Sequence, residues 1–265
     1  MSRILLEICV DDAAGIAAAV EGGADRIELC AALGVGGLTP SAGLIALAAD
    51  VALPVMAMIR PRAGDFVWTE DEVRAMLAEI EAVRGAGLAG VVIGASLPDG
   101  RLDARVLSRL VEAAQGLDVT LHRAIDLAPD PVEAMASCRA LGIRRVLSSG
   151  GARAAVDGLD RLAAMAAAAP DVIVMPGSGI TADNAARFAD RLPLREIHAS
   201  GGRPCPTRRR WSGRWASSHP ARAAPTWAAS ARFATSWTGW RADCAEGGLP
   251  RERVACSPAS PMRTR

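Results

Sequence analysis

Short apolar runs recur along the chain at residues 5–10, 26–30, 55–60, 90–94, 119–123, 145–149, 172–175 and 196–200. Each leads into a turn or a polar side chain, and a stretch with helical period separates each from the next. The clearest of these stretches is 69–84, where Thr69 and Glu72 have capping-box spacing and Val73, Met76, Leu77 and Ile80 form one stripe. The others are 12–21, 41–49, 103–115, 131–141, 155–168 and 181–191. Strands that alternate with helices demand a parallel sheet, and about eight such units close it on itself. The expected fold class is therefore α/β, a (β/α)8 TIM-type barrel over residues 1–204. An open doubly wound sheet is the competing architecture, but no dinucleotide-type glycine fingerprint follows Val10.

Strand parity assigns faces, because successive side chains point to opposite sides of a sheet. Leu6, Ile8 and Val10 are expected to meet the helices, and Leu5, Glu7 and Cys9 to face the axis. The same alternation turns Arg26, Glu28 and Cys30 inward, with Met56, Met58, Arg60, Thr120, His122, Glu196 and His198. Buried charges are costly unless paired, hydrated or ligand-bound. An interior this polar is furnished for more than stability.

Composition narrows the chemistry. At 265 residues and 51% hydrophobic content the chain can bury one large core. It has no N-terminal signal pattern and no apolar stretch of about 18 residues, so a cytoplasmic location is expected, with no membrane partner. The cysteines are scattered rather than compactly spaced, which favours reduced thiols over a disulfide scaffold. There is no lysine, which excludes Schiff-base chemistry and leaves arginine and backbone N–H groups to hold any anion.

Three constellations carry candidate chemistry. Cys9 and Cys30 end consecutive strands about 4.8 Å apart, and two inward thiolates favour Cu(I), with Met58 as a third donor. Their bland reading is a pair of buried thiols that pack as small hydrophobes. Glu7, Glu28, Arg60, His122 and His198, with Arg123, gather acids, bases and cations where barrel enzymes keep their sites. The bland alternative there is a satisfied polar network. Glycine-rich turns at 149–151, 176–179 and 200–202 make Gly177, Gly179, Ser200 and Gly201 candidate anion ligands, unless the glycines serve turn geometry alone.

The segments LLEICVDD (5–12), GGADRIELCAALGVGGLTPS (22–41), PVMAMIRPRAGDF (54–66), VTLHRAID (119–126), RVLSSGG (145–151), VIVMPGSGI (172–180) and EIHASGGRP (196–204) resemble the CutC family of copper homeostasis proteins. The resemblance runs from residue 4 to about 204. It implies a cytosolic TIM-type barrel that handles copper, with Cu(I) at the cysteines matching Cys9 and Cys30, and it admits a homodimer. The alternative function is a barrel enzyme acting on a small anionic, phosphate-bearing substrate through Arg60, His122 and His198.

After Pro204 the pattern stops. Residues 203–265 hold 12 of the 30 Arg and five of the six Trp, against three acidic residues. Residues 205–265 are therefore expected to be irregular, with the last barrel helix missing and Leu6, Ile8 and Ile197 left bare. A reading-frame change is the expected cause of this composition, and a genuine Arg- and Trp-rich tail for nucleic acid or membrane is the alternative. Trp has the single codon TGG, and joining its TG to the preceding base always encodes Leu, Met or Val. No nucleic-acid partner is assigned to the basic tail. Resequencing the gene around codons 203 to 206 should reveal a frame change, whereas an intact frame together with a protease-resistant tail would overturn this account.

Overall fold

A computed structural model of the protein describes residues 3–200. Eight strands form one parallel sheet: β1 (Leu5–Val10), β2 (Arg26–Leu29), β3 (Val55–Met58), β4 (Gly90–Ile93), β5 (Asp118–Leu121), β6 (Arg145–Ser148), β7 (Ile173–Pro176) and β8 (Glu196–Ser200). The order is β7-β6-β5-β4-β3-β2-β1-β8, and β7 packs against β8 to bring the edges together. Between the strands run α1 (Ala13–Glu21), α2 (Ala42–Ala49), α3 (Glu70–Gly85), α4 (Ala104–Ala113), α5 (Pro131–Ala140), α6 (Leu159–Ala168) and α7 (Ala182–Ala189). This is the expected (β/α) barrel. Among the described residues no helix is long and apolar enough to cross a membrane.

Helix starts follow from local chemistry. Asp12, Ser41, Asp103 and Asp130 each accept from a backbone N–H in the first turn of α1, α2, α4 and α5, and Pro131 opens α5 where its missing N–H costs nothing. Thr69 and Glu72 make the anticipated capping box on α3. The stretch 155–168 breaks in two, a 3-10 turn at Ala155–Asp157 and then α6. Gly158 is the break, since a Cβ there would lie 2.0 Å from the Ser149 carbonyl oxygen.

The side chains separate into two layers as parity requires. Leu6, Ile8, Val10, Ile27 and Leu29 join the cluster between strands and helices, while Cys9, Cys30, Met56, Met58 and Val92 pack together on the axis. Most strands stop one or two residues before the apolar run does. Cys30, Arg60, Gly94, His122 and Ser149 thus lie just past their ladders, at the barrel mouth. One expectation is corrected: Leu6, Ile8 and Ile197 are 2%, 6% and 0% exposed, because they belong to the continuous helix-side cluster. The expectations for residues 205–265, for a last helix and for Gly201 lie outside the described residues.

Gly90 marks a close approach within the barrel wall, where a Cβ would lie 2.3 Å from the Asp118 carbonyl oxygen and 2.6 Å from Met56 Cε. Replacing Gly90 with Ala must push backbone against backbone, and should destabilise the protein by about 1–3 kcal/mol. Thermal or denaturant unfolding checks this, and an unchanged midpoint would refute it.

Candidate functional site

At the bottom of the barrel the axis is filled by charge. Register places Glu7 opposite both Arg26 and His198. Arg26 Nε donates to Glu7 at 2.5 Å, and its Nη2 pairs with Glu196. Arg145 joins from β6, bonding Glu196 at 2.6 Å, Asp118 at 2.8 Å and Thr120 at 3.1 Å. Burial would raise the Glu7 carboxyl, but the His198 hydrogen bond and the Arg26 charge hold it at about 2. Arg145 was not singled out from the sequence, although its place at the start of the run 145–149 carries the same inward parity as Leu147.

One layer higher the two cysteines meet the histidine. His198 Nδ1 lies 2.8 Å from Glu7 Oε1, and its Nε2 is 3.9 Å from Glu28 Oε2. Burial opposes a charged His198, yet Glu28, Cys9 and Glu7 together raise its pKa well above the usual value. Cys9 is pulled down to about 6, chiefly by the Cys30 thiol that hydrogen-bonds to it, with His198 adding to the effect against burial. Cys30 moves the other way, raised by its bond to Cys9 and by burial. Its Sγ also lies 3.6 Å from Glu28 Oε2. Burial raises the Glu28 carboxyl well above its usual range. The arrangement favours ionisation of Cys9 over that of Cys30.

At the mouth, Arg60 reaches across the β2–α2 and β3–α3 loops, donating to the carbonyls of Val35 and Gly37, both at 3.0 Å, and of Gly64 at 2.9 Å. His122 Nδ1 accepts from the Ala124 N–H at 3.1 Å, which fixes the proton of the neutral ring on Nε2. Its ring lies against Gly94, where a Cβ would fall 2.1 Å from Cε1. Phe66 stands between the two, 5.0 Å from the Arg60 guanidinium and 4.6 Å from the His122 ring. Four buried side-chain atoms find no partner among the described residues: Glu28 Oε1, Arg60 Nε, Ser96 Oγ and His122 Nε2. They sit within β2 or on the segments that follow β3, β4 and β5, four neighbouring strands.

The glycine turns differ in how their backbone groups are used. Gly177 donates its N–H to the Ser148 carbonyl at 3.0 Å, so it offers no free donor. Its role is room, because a Cβ would lie 2.5 Å from Leu147 Cδ1 and 3.2 Å from His198 Cδ2. Gly179 adopts the left-handed conformation at φ +70°, and Ser200 ends β8 in an exposed position paired with Cys9. The turn 149–151 is already filled. Asp126 accepts from the N–H groups of Ser149 and Gly151, from the hydroxyls of Ser148 and Ser149, and from Arg123 at 2.8 Å. Asp126 and Ser96 escaped the sequence reading because no periodic pattern marks residues in turns.

His122 gives a pH signature. Burial, with Arg60 nearby, lowers its pKa from 6.5 to about 3. The unfolded chain therefore binds a proton that the fold refuses, so stability should fall as pH drops from about 6.5 towards about 3. His122→Asn, whose Oδ1 can still accept from Ala124, should flatten this slope in melting curves. Ring resonances that titrate near pH 6.5 would contradict the assignment.

Comparison with known proteins agrees with the geometry. The model of the CutC family matches residues 4–203. The family protein CutC of Rhizobium meliloti (strain 1021) is 57% identical over 203 residues, covering 76% of this chain and 82% of that one. Its counterpart in Agrobacterium fabrum is 54% identical over 198 residues, 74% of this chain and 79% of the relative. Among solved structures, the putative copper homeostasis protein CutC from Streptococcus agalactiae superposes with a TM-score of 0.70 at 29% identity, over 74% of this chain and 98% of that one. On the strength of a match that spans every strand of the barrel, the chain belongs to the CutC family.

Proposed function

We propose that the protein serves copper homeostasis in the cytoplasm by binding Cu(I) as cargo between Cys9 and Cys30. One observation carries the reading: Cys9 Sγ, Cys30 Sγ and a Glu28 carboxylate oxygen lie within 4.8 Å of one another, all buried. Thiolate and thioether donors select Cu(I) over harder cations. Met58 packs in the same axial cluster as both cysteines and supplies a further soft donor. The lowered pKa of Cys9 favours the thiolate that a soft metal requires.

The neighbouring group of Glu7, Glu28 and His198 also brings three ligand atoms within 4.8 Å. It suits copper less well, since Glu7 is already spent on Arg26 and His198. Its work is to position the thiol layer from below. The copper role printed for the Streptococcus agalactiae protein supports the same assignment.

Anaerobic titration of the reduced protein against a colorimetric Cu(I) chelator tests this. One tight equivalent per chain is expected, and the Cys9→Ser plus Cys30→Ser protein should lose it. Undiminished competition by that variant would sink the proposal, as would preferential retention of zinc over Cu(I) by the parent protein.

A further inference from the structure

Arg60, Ser96 and His122 follow β3, β4 and β5, three neighbouring strands, each meets Phe66, and their chemistry is left over once the thiol site is accounted for. They are 5%, 4% and 4% exposed, and each keeps one buried polar atom without a partner among the described residues: Nε, Oγ and Nε2. Two are N–H donors, and the third is a hydroxyl free to donate. Arg60 is a buried cation whose three hydrogen bonds all end on main-chain carbonyls. The deep arginines Arg26 and Arg145 contrast with it, since each grips carboxylates. A buried guanidinium without a counter-ion is unfavourable, and so is each unfilled donor beside it. Together they describe the negative image of an anion.

The charge count selects the class of anion. Arg62, the nearest other cation, is tied to Asp65 and Glu72 and lies over Trp68. His122 is neutral by tautomer, because its Nδ1 accepts from Ala124. Among the described residues, Arg60 therefore supplies the positive charge at this site. Of the N–H groups in the glycine turns, those of Ser149 and Gly151 are committed to Asp126 and that of Gly177 to Ser148. Phe66 supplies an apolar wall: its ring touches Arg60 and His122, and its carbonyl accepts from the Ser96 N–H at 2.8 Å.

We propose that Arg60, Ser96 and His122 form a binding site for a small monocarboxylate at the barrel mouth, distinct from the thiol pair. Arg60 neutralises the carboxylate, while the Ser96 hydroxyl and His122 Nε2–H bond its oxygens. The half-buried Phe66, on the segment after β3, covers the carbon side of the ligand. The site borders Cys30, since a Cβ at Gly36 would meet Arg60 Nη1 at 3.3 Å and one at Gly37 would meet Cys30 Sγ at 2.9 Å. A ligand here is placed to meet whatever the cysteines hold.

Calorimetry and thermal shift on the copper-free full chain decide the matter, with acetate and glycolate as probes and inorganic phosphate and chloride as controls at matched ionic strength. A saturable rise in melting temperature with a carboxylate is expected, by mass action on the native state. Ser96→Ala and His122→Asn should each weaken that binding about fivefold. Ser96→Ala should leave the unliganded protein at least as stable as the parent, because it removes a hydroxyl that has no partner. His122→Asn retains an acceptor for Ala124 and so separates loss of the Nε2 donor from loss of the turn. The Cys9→Ser plus Cys30→Ser protein should still bind the carboxylate, which keeps this result independent of the copper assignment. No saturable response to either carboxylate at tens of millimolar would overturn the proposal. So would tighter binding of phosphate, or full binding by both single variants.

Discussion

The contact on which the rest of the barrel depends is the guanidinium of Arg26, held between Glu7 of β1 and Glu196 of β8. A charge on the axis of a closed sheet has no route to water, and removing one partner of such a buried pair costs about 3–5 kcal/mol because the other is left bare. Here three strands are joined through one side chain, and Arg145 extends the network to β5 and β6 through Asp118 and Thr120. Apolar residues of similar volume would fill the same space. What the ionic version adds is a fixed orientation for Glu7.

That orientation passes upward. Glu7 uses one oxygen on Arg26 and the other on His198, so the imidazole is aimed at Cys9 and Glu28 rather than at solvent. A histidine so held favours the thiolate of Cys9, and the thiolate in turn disfavours ionisation of Cys30 and Glu28. The layers are coupled in sequence, with charge balance at the bottom setting protonation in the middle. Gly177 makes room for this, since any larger residue would press on Leu147 and His198.

The mouth is organised by a different principle. Loops there satisfy each other first: Asp126 takes the donors of the turn after β6, and Arg60 braces two loops through main-chain carbonyls. Among the described residues the polar atoms that remain unmatched are few and lie on neighbouring strands and the loops that follow them. The thiol pair and the leftover donors therefore stand as neighbours with separate chemistries, one soft and buried among methionines, the other hard and set against an aromatic ring.

Much of this was legible from the residues in order. Alternation fixed which side chains of 5–10 and 26–30 face the axis, and hence that Cys9, Glu28 and Cys30 share an interior, because a strand has a period of two whatever surrounds it. Caps at Thr69 and Asp130 are equally local. Partner choice was not local. Nothing in the chain order says that Arg145 would reach Glu196, that Asp126 would fill the turn at Ser149, or that Gly177 would spend its N–H on Ser148, since these contacts join residues made adjacent only by strand pairing and closure of the ring. The sequence by itself determined the alternation of strands and helices and the inward set. The tertiary structure alone decided which polar groups of that set cancel one another and which are left to meet a ligand, because hydrogen-bond satisfaction is a property of neighbours in space.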